Sequence, residues 1–218
     1  MQMHVIYGGT FDPIHHGHLR LALEVGERLR GVPVSLMPCH IPPHKGDTGA
    51  TAEQRLRLLE LAIAGEPRLS VDDRELRRGG ASFTADTLRQ LRKELGAKVP
   101  LAMVVGTDAF AGLDRWNEWR AIPELAHIIV VQRPGIVLDP KGEPARLLEE
   151  RSVGNAEDLY SSASGKILNL NPPWLDISAT GIRDRIGRGL SPRYLAPDAV
   201  LAEIQSMGLY GACPVKNF

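Results

Sequence analysis

Gly8-Gly9-Thr10-Phe11-Asp12-Pro13-Ile14-His15-His16-Gly17-His18 is the stretch on which the reading of this chain turns. His4 to Tyr7 before it reads as a short strand. Leu19, Ala22, Leu23, Val25 and Leu29 after it form an apolar stripe of roughly helical period. The glycine pair ends the strand and a helix starts near Gly17. In open parallel sheets, ligands sit beyond the carboxyl ends of strands, beside helix N-termini that attract anions. Gly8, Gly9 and Gly17 would let the backbone approach such a ligand without a Cβ in the way. His15 and His18, three apart, point to one side of the first turn, and His16 points elsewhere. Two imidazoles at that place can donate hydrogen bonds to phosphoryl oxygens as charge develops. A metal cluster or a plain surface loop stays open as an alternative, although no Asp, Glu or Cys completes a zinc set at standard spacing. The stretch is neither a Walker loop nor a Gly-x-Gly-x-x-Gly turn.

Further along, short apolar strands alternate with amphipathic helices. Val34 to Met37 reads as a strand, followed by a proline-rich loop from Pro38 to Gly49. Thr51 and Gln54 fit a capping box that opens a helix running to Gly65. Leu69 to Val71 is another strand, Thr84 to Leu95 a helix stopped by Gly96, and Leu101 to Val105 and Ile128 to Val131 are strands. Residues 135–172 show no regular pattern beyond one short helix. Trp174 to Ile177 reads as a last strand and Thr180 to Arg188 as a helix with a basic outer face. Val200, Leu201, Ile204 and Met207 give a final helix, with Ser191-Pro192 and Pro197 as its candidate starts. The order predicts an α/β fold: a Rossmann-like, open, mostly parallel sheet with helices on both faces and a small helical C-terminal portion. Without a repeat or linker, residues 1–218 form one domain, 1–176 the core and 177–218 the C-terminal helices.

The 218 residues are 43% hydrophobic and 24% charged, ordinary for a globular domain able to bury a core. Lys plus Arg equal Asp plus Glu at 26 each, so a duplex nucleic acid is not the expected partner. Cys39 and Cys213 are too few for a disulfide scaffold. Met1-Gln2-Met3-His4 lacks the pattern of an export signal, and no apolar run reaches the roughly 20 residues that span a bilayer. The expectation is a cytoplasmic protein without a membrane or nucleic-acid partner. The sequence leaves room for a homo-oligomer.

Far along the chain from the first stretch stands Ile177-Ser178-Ala179-Thr180-Gly181-Ile182-Arg183. Together the two resemble the paired motifs of the nucleotidyltransferase superfamily with the histidine-x-glycine-histidine sequence, Ala179 replacing a serine. Pro42-Pro43-His44-Lys45 and Gly106-Thr107-Asp108 with Trp116 make the chain similar, end to end, to the bacterial nicotinate-nucleotide adenylyltransferases. That resemblance implies transfer of AMP from ATP to nicotinate mononucleotide, with Mg2+ accompanying the triphosphate and no metal held by the protein. Nicotinamide mononucleotide or phosphopantetheine as acceptor, or a non-catalytic nucleotide sensor, are the alternatives.

The resemblance implies a catalytic group of His15, His18, Lys45 and Arg183. Gly8, Gly9, Thr10, Phe11, Gly17, Ile177, Ser178 and Thr180 would line the ATP site. Thr180 would cap the second helix, whose amides and Arg183 would meet the β- and γ-phosphates. Nicotinate mononucleotide would meet His44, Thr84, Asp108, Trp116 and Arg133. Trp116 can stack on the pyridine ring, or else pack with Trp119 on one helix. Capping of the following helix is the competing role for both Thr84 and Asp108.

Overall fold

A computed structural model describes residues 2–42, 48–132, 135 and 138–212. The seven strands are β1 (His4–Gly9), β2 (Val34–Pro38), β3 (Leu69–Val71), β4 (Leu101–Gly106), β5 (His127–Val131), β6 (Ser152–Val153) and β7 (Ile167–Leu170). They form one sheet in the order β3-β2-β1-β4-β5-β7-β6, and every neighbouring pair is parallel. Parallel strands need crossovers over a face, and here both faces are covered.

The pleat divides the strand residues between two cores. Val5 and Tyr7 of β1, Ala102 and Val104 of β4, and Ile129 and Val131 of β5 face the first. Against it pack α1 (His16–Arg28), α2 (Ala52–Ile63), α8 (Ala179–Gly187) and α9 (Asp198–Ser206). Ile6, Leu101, Met103, Val105, Ile128 and Val130 face the second. Ala85, Leu88 and Leu91 of α4 (Thr84–Leu95), Phe110 of α5 (Thr107–Ala111), Ile122 of α6 (Ile122–Leu125) and Leu147 of α7 (Glu143–Arg151) cover that side. A short α3 (Arg74–Arg78) precedes α4. Among the described residues no helix is long and apolar enough to cross a membrane.

Two expectations change. Residues 135–172 contain not one helix alone but α7, β6, a 3-10 turn over Ala156–Ser161 and β7. The final strand by sequence is thus Ile167–Leu170, while Trp174 to Ile177 is irregular and half-exposed chain leading into α8. Four residues between polar neighbours are too few to show a period, so pairing with β5 decides β7. Of the two candidate starts of the final helix, Pro197 is the one used, at its N-cap. The Thr51–Gln54 capping box is present in both directions, at 3.2 and 2.9 Å.

His127 fastens β5 to the segment entering β7. Its ring is fully buried, and its Nδ1 accepts from the Lys166 amide at 3.1 Å. The ring is therefore the neutral Nε2–H form, which donates to the Ser162 carbonyl at 3.0 Å. Burial, helped by the charges of Lys166 and Arg92, holds its pKa below the ordinary 6.5. The unfolded chain then binds the proton first, so this stabilisation is complete above about pH 6.5 and declines as pH falls below it. The urea midpoint is expected to drop between pH 7.5 and pH 5.5 by more in the parent protein than in H127N. Equal drops in the two proteins would refute the assignment.

Candidate active site

β1 and β4 are neighbours, yet the chain leaves β1 toward α1 on the first face and leaves β4 toward α5 on the second. Such a divergence opens a crevice beyond the strand ends, the usual ligand site of this architecture. Gly8 and Gly9 end β1 on one side, and Gly106-Thr107-Asp108 ends β4 on the other. The Thr107 hydroxyl donates to the Val131 carbonyl at 3.0 Å, tying the end of β4 to that of β5.

On the first face the turn after β1 is built around aromatic contacts. Phe11 is buried, with φ 48°, and its ring stands edge-on to Tyr7 and to His18 at 5.6 and 5.1 Å. A Cβ on Gly9 would lie 2.8 Å from that ring, so the glycine makes room for Phe11. Phe11 is therefore a core support beneath His18, and only its backbone is left to face a nucleotide. Gly8, by contrast, is exposed with open space where a Cβ would be. The His15 and His18 rings stack at 3.6 Å with 23° between their planes, and the Nδ1 of each is buried. The main-chain amides of His16 and His18 are taken by the carbonyls of Leu195 and His15, both at 3.0 Å. Two of the amides at this helix end are thus already taken.

The two motifs meet at two points. A Cβ on Gly17 would lie 3.0 Å from the His15 ring and 3.5 Å from the Ile177 carbonyl, so the first turn of α1 rests against the second motif. Arg183 donates through Nη1 to the Asp12 carbonyl at 2.6 Å, and that nitrogen lies 3.7 Å from the Asp12 carboxylate. Ser178, not Thr180, is the N-cap of α8: its hydroxyl accepts from the Gly181 amide at 3.0 Å. Thr180 lies inside the first turn, exposed, with its hydroxyl accepting a long bond from Arg183 at 3.4 Å.

The acceptor candidates stand on the second face. Thr84 is the first residue of α4 with Phe83 at the N-cap, and Asp108 is the exposed second residue of α5 with Gly106 at the N-cap. Neither residue caps its helix. Trp116 and Trp119 do not share a helix. Trp116 is extended between two 3-10 turns, and both rings pack half-buried on the second core. His44, Lys45 and Arg133 lie outside the described residues.

Arg55 is the residue that the sequence reading passed over. It is fully buried, yet it sits in the first turn of α2 and spreads its guanidinium between two strand ends. Nη1 donates to the Thr10 carbonyl at 2.8 Å and Nη2 to the His40 carbonyl at 2.9 Å. The fork braces the turn after β1 against the turn after β2, a geometry that a lysine's single nitrogen cannot reproduce. The sequence did hold a signal: Ala52, Arg55, Leu58 and Leu59 form the buried stripe of α2, so a charge stood where an apolar residue belongs.

A family model described as cytidylyltransferase-like matches residues 6–185. A probable nicotinate-nucleotide adenylyltransferase of Marinobacter nauticus is 64% identical, the match covering 99% of this chain and 100% of the relative. One from Cellvibrio japonicus is 49% identical, over 94% of this chain and 97% of its own length. The chain belongs to the nicotinate-nucleotide adenylyltransferase family. The solved nicotinic acid mononucleotide adenylyltransferase of Plasmodium falciparum, complexed with NaAD, superposes with a TM-score of 0.73. Its identity is 17% over 97% of this chain and 98% of that one, so that likeness speaks for the fold.

If Arg55 is the brace, R55M is expected to lower the unfolding free energy by about 1–3 kcal/mol, the cost of charged hydrogen bonds withdrawn from buried carbonyls. R55K should recover less than half of that loss in urea denaturation. A full recovery by lysine would show that charge, not the fork, matters.

Proposed function

We propose that this protein transfers the adenylyl group of ATP to nicotinate mononucleotide, giving deamido-NAD and pyrophosphate. The observation that carries the reading is the junction of the two motifs, Arg183 on the Asp12 carbonyl and Ile177 against Gly17, at the crevice between β1 and β4. The names of the close relatives point to the same donor and acceptor.

The reaction is an in-line displacement. A phosphate oxygen of the mononucleotide attacks the α-phosphorus of ATP, the new P–O bond forms, and the bond to the β-phosphate breaks with its electron pair leaving on pyrophosphate. The attacking oxygen is already anionic at neutral pH, so no general base is needed and catalysis rests on positioning and charge stabilisation. His18 is assigned to the α-phosphoryl group through Nε2, since its Nδ1 is buried. His15, stacked on it, fixes the ring plane and reaches the same phosphates by its own edge. Thr10 and Gly8 offer backbone to the triphosphate, and Ser178 sets the helix end whose remaining amides, with Thr180 and Arg183, receive the β- and γ-phosphates.

Among the described residues no group of three or more His, Cys, Asp or Glu could hold a metal ion. We assign Mg2+ to the triphosphate, as part of the substrate, where it neutralises phosphate charge. Thr84, Asp108 and Trp116 on the second face, with His44 and Arg133, are assigned to the acceptor, and Lys45 stays with the catalytic group. The acid-over-amide preference then falls to groups on that face.

Purified protein with ATP and Mg2+ is expected to release pyrophosphate with nicotinate mononucleotide faster than with nicotinamide mononucleotide or phosphopantetheine. Absence of pyrophosphate with every acceptor would leave only a nucleotide sensor. H18A should lower kcat by about 10²–10³-fold, the usual cost of one donor to a developing oxyanion. Its circular dichroism should match the parent. An unchanged kcat would remove His18 from the transition state.

A further inference from the structure

Asp12 is buried to 6% exposure, and each of its carboxylate oxygens has its own partner. Oδ1 accepts from the Tyr210 hydroxyl at 2.7 Å, and Oδ2 accepts from the Gly49 amide at 2.8 Å. The carbonyl of the same residue accepts from Arg183 at 2.6 Å. One residue of the first motif thus gathers the stem of the loop before α2, the second motif and the last described turn of the chain. The fit is tight: a Cβ on Gly49 would lie 2.7 Å from the Tyr210 ring and 3.3 Å from Cδ of Arg183. Tyr210 itself is held with φ 59°, a left-handed conformation that a non-glycine residue rarely adopts.

A buried carboxylate beside a guanidinium can draw it in fully. Here it does not: Nη1 of Arg183 stays 3.7 Å from Oδ2 and puts its short bond on the neutral carbonyl instead. Both carboxylate oxygens are already accepting from neutral donors, the phenol and the amide. The phenol remains protonated at all working pH values, because burial and the neighbouring carboxylate push its pKa upward. It is a permanent donor. Arg183, one-third exposed, keeps charge available for a second anion.

We infer that Tyr210 is a positioning residue for Arg183, acting through Asp12 to keep the guanidinium on the motif and available to the triphosphate. The inference rests on the phosphate role of Arg183. Without the phenol, Oδ1 of Asp12 has lost its donor in a buried place and competes for the guanidinium. ATP then has to pull Arg183 from a closer ion pair.

The test is steady-state kinetics on the full chain with both substrates varied, for Y210F, G49A, R183A and Y210F/R183A. Y210F is expected to raise KM for ATP three- to tenfold, with kcat and KM for the mononucleotide within twofold of the parent. G49A, which drives its Cβ into the same ring and also against Cδ of Arg183, should shift KM for ATP the same way and by more than Y210F. In the R183A background the phenol should no longer matter, so the double variant should match R183A. An unchanged KM for ATP in R183A would overturn the phosphate role of Arg183, and the inference with it. A raised KM in R183A but not in Y210F or G49A would overturn the inference alone, as would a Y210F effect of equal size with and without Arg183. Lower thermal stability with unaltered KM values would likewise overturn it, leaving Tyr210 a structural staple.

Discussion

Everything at the site depends on the parting of β1 and β4. The two strands share a parallel ladder from His4 paired with Leu101 to Tyr7 paired with Val104, and then lead to opposite faces of the sheet. Neither crossover can fill the space beyond their ends, because each is drawn away to bury its own apolar stripe. A cleft is a by-product of covering both faces of the sheet. It also separates the chemistry. The groups assigned to the triphosphate, His15, His18, Ser178, Thr180 and Arg183, come from elements packed on the first core. Thr84, Asp108 and Trp116 come from elements of the second.

A cleft of this kind needs rigid walls, and its walls are loops, which lack a ladder of their own. The molecule supplies the missing bonds with buried polar side chains. Arg55 joins the turns after β1 and β2, and Asp12 joins the first motif to Gly49 and Tyr210. Burying such groups is costly unless they are bonded, and once bonded they are equally costly to detach. This gives the turns definite positions without regular structure. His127 does similar work behind the site, where it holds the segment entering β7.

Much of this was legible in the residues, for identifiable reasons. Strands with a strict division between two cores are continuous apolar runs, and Leu101 to Val105 could hardly be read otherwise. The Thr51 capping box is a local interaction and needs no tertiary information. The motif pair named the family because its residue types are unusual together. Contacts between distant segments were not legible. Ser178 and Thr180 are both reasonable caps, and only the backbone turn decides that Ser178 meets the Gly181 amide. β7 is a strand because β5 lies beside it. Arg55 carries only an indirect mark, a charge on the stripe of Ala52 and Leu59, and Tyr210 has no local mark at all.

The difference between the two halves of the cleft follows from the same distinction. The candidates for phosphate recognition are concentrated in two short segments, because helix ends, imidazoles and a guanidinium bind any triphosphate in much the same way. Recognition of an acceptor has to follow one particular molecular shape, and its candidates are spread over the ends of separate elements: Thr84 at α4, Asp108 at α5, Trp116 between two 3-10 turns. Each is placed by the packing of its own element on the second core, not by its neighbours in sequence. Substitutions in that core could therefore shift acceptor preference without touching the acceptor, while the triphosphate half, braced by Arg55 and Asp12, kept its geometry. The fold separates what must stay constant from what can vary.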